Sequence, residues 1–124
     1  MIEVVEDVDQ YGVQRWHIKG TDILHKEDGP AVIAPGQFIS YYINGNEHRD
    51  DGPSLIWEDG FQGWSKHGKI HRTDGPALLD PNWGASWFIE DKEIFSRKLY
   101  QELTGLSDED MSMLVLKYGG FLDP

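Results

Sequence analysis

The sequence predicts a mainly β chain with an α tail: an antiparallel meander of stacked β-hairpin repeats with a 23-residue period, capped by a C-terminal pair of short helices. Three observations carry this. A His-x-x-Asp-Gly-Pro segment recurs at fixed spacing, an aromatic column runs out of phase with it, and beyond residue 92 turn-punctuated runs give way to apolar residues spaced by three and four.

The segment His25-Lys26-Glu27-Asp28-Gly29-Pro30-Ala31 returns as His48-Arg49-Asp50-Asp51-Gly52-Pro53-Ser54 and as His71-Arg72-Thr73-Asp74-Gly75-Pro76-Ala77, each copy 23 residues after the last. The aromatic column is Trp16, Tyr41, Trp64 and Trp87, each followed four residues later by a turn position at Gly20, Gly45, Gly68 or Asp91. Its first step is 25 residues because the turn after Gly20 is two residues longer than its counterparts.

Each unit reads as strand, turn, strand, turn. Gln37 to Ile43 is rich in aromatic and β-branched residues and ends at Asn44-Gly45, a pair suited to a tight reversal. A brief apolar run follows each Asp-Gly-Pro: Ala31-Val32-Ile33, Ser54-Leu55-Ile56-Trp57 and Ala77-Leu78-Leu79. Proline cannot donate to a ladder, so Pro30, Pro53 and Pro76 should mark where pairing begins. Side-chain alternation places Ile39, Tyr41 and Ile43 on one face, the expected core, and Ser40, Tyr42, Gly63, Ser65, Ser86 and Phe88 on an expected solvated face. Gly52 and Gly75 are expected to hold backbone conformations that glycine alone adopts readily.

The chain is read as a single domain over 1–124, with a degenerate opening hairpin at 1–20, hairpin repeats at 21–91 and a helical cap at 92–124. In the tail, Phe95, Leu99 and Leu103 with Tyr100 alongside form the apolar side of a first helix, which Ser96 caps and Thr104-Gly105 ends. Ser107 caps a second helix that opens with Asp108-Glu109-Asp110, carries Met111, Leu114, Val115 and Tyr118 as its apolar stripe, and ends near Lys117 and Gly119-Gly120.

Composition narrows function. Cysteine is absent, which removes disulfides and thiolate metal sites and fits a reducing compartment. No basic and apolar leader opens the sequence, and no run approaches a membrane span, so the expectation is a cytoplasmic protein, in the host cytoplasm if phage-encoded. Eleven basic against 22 acidic residues leave a net charge of −11, which disfavours direct binding to nucleic acid or membrane and favours basic partners.

These residues resemble MORN-type repeats, in particular the variant with a recurring His-Arg-x-Asp-Gly-Pro-Ala segment found in phage, bacterial and giant-virus proteins. Residues 64–77, Trp64 through Ala77, carry the resemblance best, and it extends over roughly 13–91. The chain departs from ordinary MORN repeats in having Arg-x-Asp-Gly-Pro where those have Gly-x-Gly. The resemblance implies a single-layer array of stacked hairpins and a scaffold or interaction surface.

Candidate sites divide between structure and function. His25, His48 and His71, each three residues before Asp28, Asp51 or Asp74, have the donor types of a zinc or manganese site. The competing reading is a structural repeat motif, His-x-x-Asp-Gly-Pro, in which the His and Asp hydrogen-bond backbone groups; equivalent residues one unit apart would lie ~10 Å from each other, too far for one ion. The regular aromatic column reads as packing, with a ligand-stacking platform as the alternative. The less regular Tyr42, Trp57, Trp83 and Phe88, with the acids Asp50, Glu58 and Asp59, are the candidate partner-binding residues.

No nucleophile motif, phosphate-cradling loop or dinucleotide fingerprint occurs. The sequence therefore assigns no catalytic residue, cofactor or metal, and its expected function is a non-enzymatic interaction module. In that expectation a phage-encoded protein binds or inhibits a host or viral protein, such as a nucleic-acid-binding enzyme, through an acidic surface, as a counter-defence inhibitor would. The alternative is a small hydrolase or small-molecule-sequestering protein using the repeat His and Asp residues.

Overall fold

A computed structural model describes residues 2–122. Strands β1 (Val4–Val8), β2 (Gln14–Ile18), β3 (Val32–Ala34) and β4 (Phe38–Ser40) open an eight-stranded sheet. The ribbon β5 (Tyr42–Ile43) and β6 (Asn46–Glu47) follows, then β7 (Leu55–Trp57) and β8 (Gln62–Gly63) return to the sheet. The pattern repeats with ribbon β9 (Ser65–Lys66) and β10 (Lys69–Ile70), sheet strands β11 (Leu78–Asp80) and β12 (Gly84–Ser86), and ribbon β13 (Phe88–Ile89) and β14 (Lys92–Glu93). Helices α1 (Arg97–Thr104) and α2 (Asp108–Tyr118) end the chain. The sheet order is β1-β2-β3-β4-β7-β8-β11-β12, antiparallel throughout, so the meander of hairpins with two C-terminal helices is the fold.

Tyr41, Trp64 and Trp87 each sit where the chain leaves the main sheet, whereas Trp16 lies within β2. Tyr41 lies between β4 and β5, and the strand bends there rather than running on. The N–H groups of Trp16, Tyr41 and Trp64 donate to the carbonyls of Ala31, Ser54 and Ala77, each at 2.8 Å, so each aromatic is tied to the residue after the next unit's proline. Those three residues have no solvent exposure.

Beyond each bend a two-residue turn closes the ribbon. Asn44-Gly45 has φ of 50° and 81°, and His67-Gly68 has 53° and 80°, the doubly left-handed geometry of a type I′ turn that glycine adopts freely. The third ribbon uses Glu90-Asp91 at 46° and 69°, and Asp91 compensates by accepting the Ile70 N–H on its carboxylate at 2.6 Å. Successive ribbons are joined by backbone bonds: Gly68 N–H to the Glu47 carbonyl at 2.9 Å and Arg49 N–H to the Ser65 carbonyl at 3.1 Å.

The bend overturns the expected face assignment. Alternation does not pass through Tyr41, and Ser40 and Ser65 are buried, as is Gly63, while Ile39 and Ile43 are only half-buried. Leu78 and Phe61 lie beside Gly63, where a Cβ would sit at ordinary contact, 3.5 Å from Leu78 Cδ2 and 3.6 Å from Phe61 Cε1.

The core lies at the junction of the last unit with the helices, not along the aromatic column. Trp87, Ile94, Tyr100 and Met111 are buried, with Leu106, Leu114, Val115, Tyr118 and Phe121 packed around them. Of the four column residues only Trp87 is fully buried; Trp16, Tyr41 and Trp64 are half-buried. Phe121 stacks on Trp87 at 4.3 Å between centroids and 21° between planes, Tyr100 meets it edge-on at 4.8 Å, and Trp87 Nε1 donates to the Gly119 carbonyl at 2.8 Å.

The helix caps are as the sequence indicates. Ser96 Oγ accepts from Leu99 N–H, Ser107 Oγ accepts from Asp110 N–H, and Gly105 takes the left-handed C-terminal conformation at φ 74°. Of the residues expected on the apolar side of the first helix, only Tyr100 is buried, whereas Leu99 and Leu103 remain 43% and 52% exposed. The reason is the phenol, which lies 2.6 Å from the Arg72 carbonyl and 2.8 Å from that of Gly75 and accepts Gly75 N–H at 3.3 Å. Burial pushes the Tyr100 phenol up to about 12, so it stays a donor at any physiological pH.

Tyr100→Phe should therefore lower stability by about 1–3 kcal/mol, because it leaves buried backbone groups of the third Asp-Gly-Pro loop without their partner. Leu103→Ala, at a half-exposed site, should lower it by well under ~1 kcal/mol. Urea melts followed by tryptophan fluorescence compare the two; equal losses would contradict this account of the helical cap.

Candidate functional site: a row of cation and aromatic clefts

The repeated motif builds the same cleft three times along the loop side of the array. In the second unit the Arg49 guanidinium stands 4.1 Å over the Tyr41 ring, its Nε donates to the Asp51 carboxylate at 3.1 Å, and its NH1 group donates to the Pro53 carbonyl at 3.1 Å. Arg72 repeats this with Trp64 at 4.0 Å, Asp74 at 2.9 Å and Pro76 at 3.0 Å. Lys26 covers Trp16 at 3.8 Å. Arginine suits the position because one planar fork stacks on the ring and bonds two acceptors; lysine supplies only the point charge.

This arrangement bears on the motif glycines, and at Gly52 the reason differs from the one expected. At Gly52 no left-handed backbone is required; instead a Cβ would meet Arg49 Cζ at 2.9 Å. At Gly75 a Cβ would meet Arg72 Cζ at 2.7 Å. Gly29 lies under lysine, with Nζ at 3.7 Å, an ordinary contact.

The histidines face the next unit. His25 Nδ1 accepts the Asn44 N–H at 2.9 Å, His48 Nδ1 accepts the His67 N–H at 2.9 Å, and His71 Nδ1 accepts the Glu90 N–H at 3.0 Å. Each donor is the first residue of the following ribbon's turn, whose N–H the turn itself leaves unpaired. Acceptance at Nδ1 puts the proton on Nε2, which points at Glu27 in the first unit (3.4 Å) and Asp50 in the second (3.0 Å). The motif aspartates Asp51 and Asp74 turn to the arginines, so His48 and His71 are not paired with the Asp three residues on. Among the described residues no group of three His, Asp or Glu side chains could hold a metal ion.

The clefts are open grooves with volumes of about 600, 710 and 360 Å³. Glu27 and Asp28 rim the first two, and Asp50 and Asp51 rim the second and third. The rim carboxylates point into solvent, with Glu27, Asp50, Asp51 and Asp74 all 78% to 88% exposed. Equivalent rims recur at about two strand spacings, ~10 Å.

The seven residues singled out for partner binding do not share a surface. Asp50 belongs to the cleft rim. Tyr42 and Phe88 lie half-buried in the first strands of their ribbons, opposite Glu47 and Glu93. Trp57, Glu58 and Asp59 sit at the far turns of the main sheet, where Trp57 packs on Phe38 at 4.9 Å, and Trp83 occupies the next such turn at 89% exposure. The ring-stacked cations Lys26, Arg49 and Arg72 were missed; their recurrence one position after each histidine was the available signal.

One unit departs from its neighbours in a way visible only by packing. Glu47 occupies the position of Leu24 and Ile70, and Ser54 that of Ala31 and Ala77, each 23 residues apart. Ser54 Oγ donates to Glu47 Oε1 at 2.9 Å. Burial raises the Glu47 carboxyl above its ordinary value near 4.5, and the serine bond only partly opposes this.

Gly75→Ala should destabilise by about 1–2 kcal/mol by lifting Arg72 off its partners, while Gly29→Ala and the exposed Lys69→Ala stay within ~0.5 kcal/mol, as thermal melts would show. For Glu47, a raised folded pKa means that its contribution is fully present below about 4.5 and is lost as pH rises through the folded value. Glu47→Gln should thus match the parent at low pH and become the more stable protein at neutral pH. A stability difference that stays constant from acid to neutral pH would contradict the assignment.

No protein-family model, curated protein or solved structure matches the chain, so the reading of these clefts rests on their own geometry.

Proposed function

We propose that the chain is a non-enzymatic interaction module that binds a basic protein surface along its loop side. The observation that supports this is the repeated cleft rim, in which exposed carboxylates return at the spacing of one structural unit. A partner with lysines or arginines at matching intervals gains one ion pair per unit, and the cleft cations fix the rim by holding Asp51 and Asp74 in place. Each exposed pair contributes little alone, so affinity comes from the number of units engaged.

The net charge of −11 steers such a partner from a distance and repels phosphate polymers. A protein whose own groove is basic, such as a nucleic-acid-binding enzyme, fits this chemistry. The resemblance of the motif to phage repeats makes an enzyme of a phage host our choice, with occupation of its groove as the means of inhibition.

Pull-down from a bacterial lysate tests the reading, with the triple variant Glu27→Gln/Asp28→Asn/Asp50→Asn as control. Raising salt from ~0.1 M to ~1 M cuts the screening length from about 10 Å to about 3 Å and should release the captured protein; the variant should capture far less at low salt. Capture indifferent both to salt and to the triple substitution would overturn it.

A further inference from the structure

We infer that the free edge of β1 is a half-built repeat junction that accepts an extended, basic segment of another protein as an additional strand. Lys19 N–H donates to the Glu3 carbonyl at 2.9 Å and Asp9 N–H to the Val13 carbonyl at 3.1 Å, at the two ends of the β1–β2 pairing. Bonded pairs alternate along an antiparallel ladder, so Val5 and Asp7 face β2 while the N–H and C=O groups of Val4, Glu6 and Val8 point away from it. The sheet order places β1 outermost.

The repeat register says what belongs there. Glu6 pairs with Trp16 in the opening hairpin, as Ala31 stands opposite Tyr41 one step beyond the Val32 and Ser40 pair. Glu6 is therefore the counterpart of Ala31, Ser54 and Ala77, whose carbonyls receive the N–H of the preceding unit's aromatic. Those three residues are fully buried, whereas Glu6 is exposed. The cleft beside the edge is unfinished in the same sense. Its wall is Ile2 and Val4, where the later clefts have the preceding unit's Asp-Gly loop, and Ile2 is 47% exposed.

The opposite edge shows what closure looks like. There the tail crosses β12 so tightly that a Cβ on Gly120 would lie 2.5 Å from the Ala85 carbonyl oxygen. No such cover reaches β1 among the described residues.

Charge selects the occupant. Glu3, Glu6 and Asp7 line the edge and Glu27 and Asp28 rim the cleft, so pairing β1 with β1 of a second copy would oppose like charges. A segment with an apolar or aromatic centre flanked by lysine or arginine fits both the ladder and the cleft.

A synthetic peptide of residues 37–43, the strand that fills this place at an interior junction, flanked by two lysines at each end provides the probe. Amide exchange followed by NMR should show the Val4, Glu6 and Val8 N–H groups unprotected in the free protein and slowed by at least about tenfold with peptide, while Val5 and Asp7 are protected throughout. Glu6→Pro removes an outward N–H without touching the ladder to β2, and should abolish the effect with an unchanged melting curve. Should that variant melt early, Glu3→Lys/Glu6→Lys provides the second route and should weaken peptide binding by at least about tenfold. The inference is overturned if peptide binds without slowing those three amides, if charge reversal leaves binding intact, or if the protein alone sediments as a dimer with the same amides protected. Glu6→Pro and Glu3→Lys/Glu6→Lys leave the rim acids Glu27, Asp28 and Asp50 in place, so failure here and failure of the loop-side reading are distinguishable.

Discussion

A backbone N–H at the start of each ribbon turn has no partner within its own turn, and the array depends on how that group is satisfied. The imidazole of the preceding unit accepts it in all three units, from His25 to Asn44, His48 to His67 and His71 to Glu90. A hydrogen bond of this kind contributes about 0.5–1.5 kcal/mol, and because it spans two units each histidine also sets the distance between them. The ribbon can then lie against its predecessor and exchange backbone bonds with it, and the bend at the aromatic stays in one place.

That constraint decides where large side chains can go. The rings of Trp16, Tyr41 and Trp64 are covered by Lys26, Arg49 and Arg72. The interior of the repeats is left to Ala31, Ser40, Ser54 and Ala77. Such a layer buries little apolar area, and the larger cluster forms only where the repeat ends. At the fourth position Ile94 replaces the histidine and Phe95 the cation, Ile94 N–H still bonds the Trp87 carbonyl at 2.7 Å, and Phe121 stacks on Trp87 where an arginine would lie. The helical tail is thus docked by a modified repeat unit, and Tyr100 fastens it to the last Asp-Gly-Pro loop.

The same geometry links fold to the proposed binding. Arginines committed to Asp51, Asp74 and the proline carbonyls cannot neutralise the outer acids, so Glu27, Asp28 and Asp50 remain at the rim with nearly full access to solvent. The two ends of the sheet differ in that the tail crosses β12, whereas among the described residues nothing covers β1, whose outward-pointing groups stand in repeat register.

Much of this was legible in the residues themselves. The 23-residue return of His-x-x-Asp-Gly-Pro, the Asn44-Gly45 and His67-Gly68 turns, the capping serines and the change to helical spacing after residue 92 are local signals, set by backbone chemistry and neighbouring positions, and they determined the element types, their order and the repeat. Tertiary structure alone decided which side chains were inside. Alternation assigned Ser40 and Gly63 to solvent because it cannot register a bend at Tyr41, and a spacing of four chose Leu99 and Leu103 because it cannot register carbonyls of residues 72 and 75 waiting for a phenol. The histidines, read as bonding backbone groups at their own turn, proved to bond the backbone of the next unit's turn, since a bond spanning 19 residues has no signature in local sequence and exists only once the units are stacked.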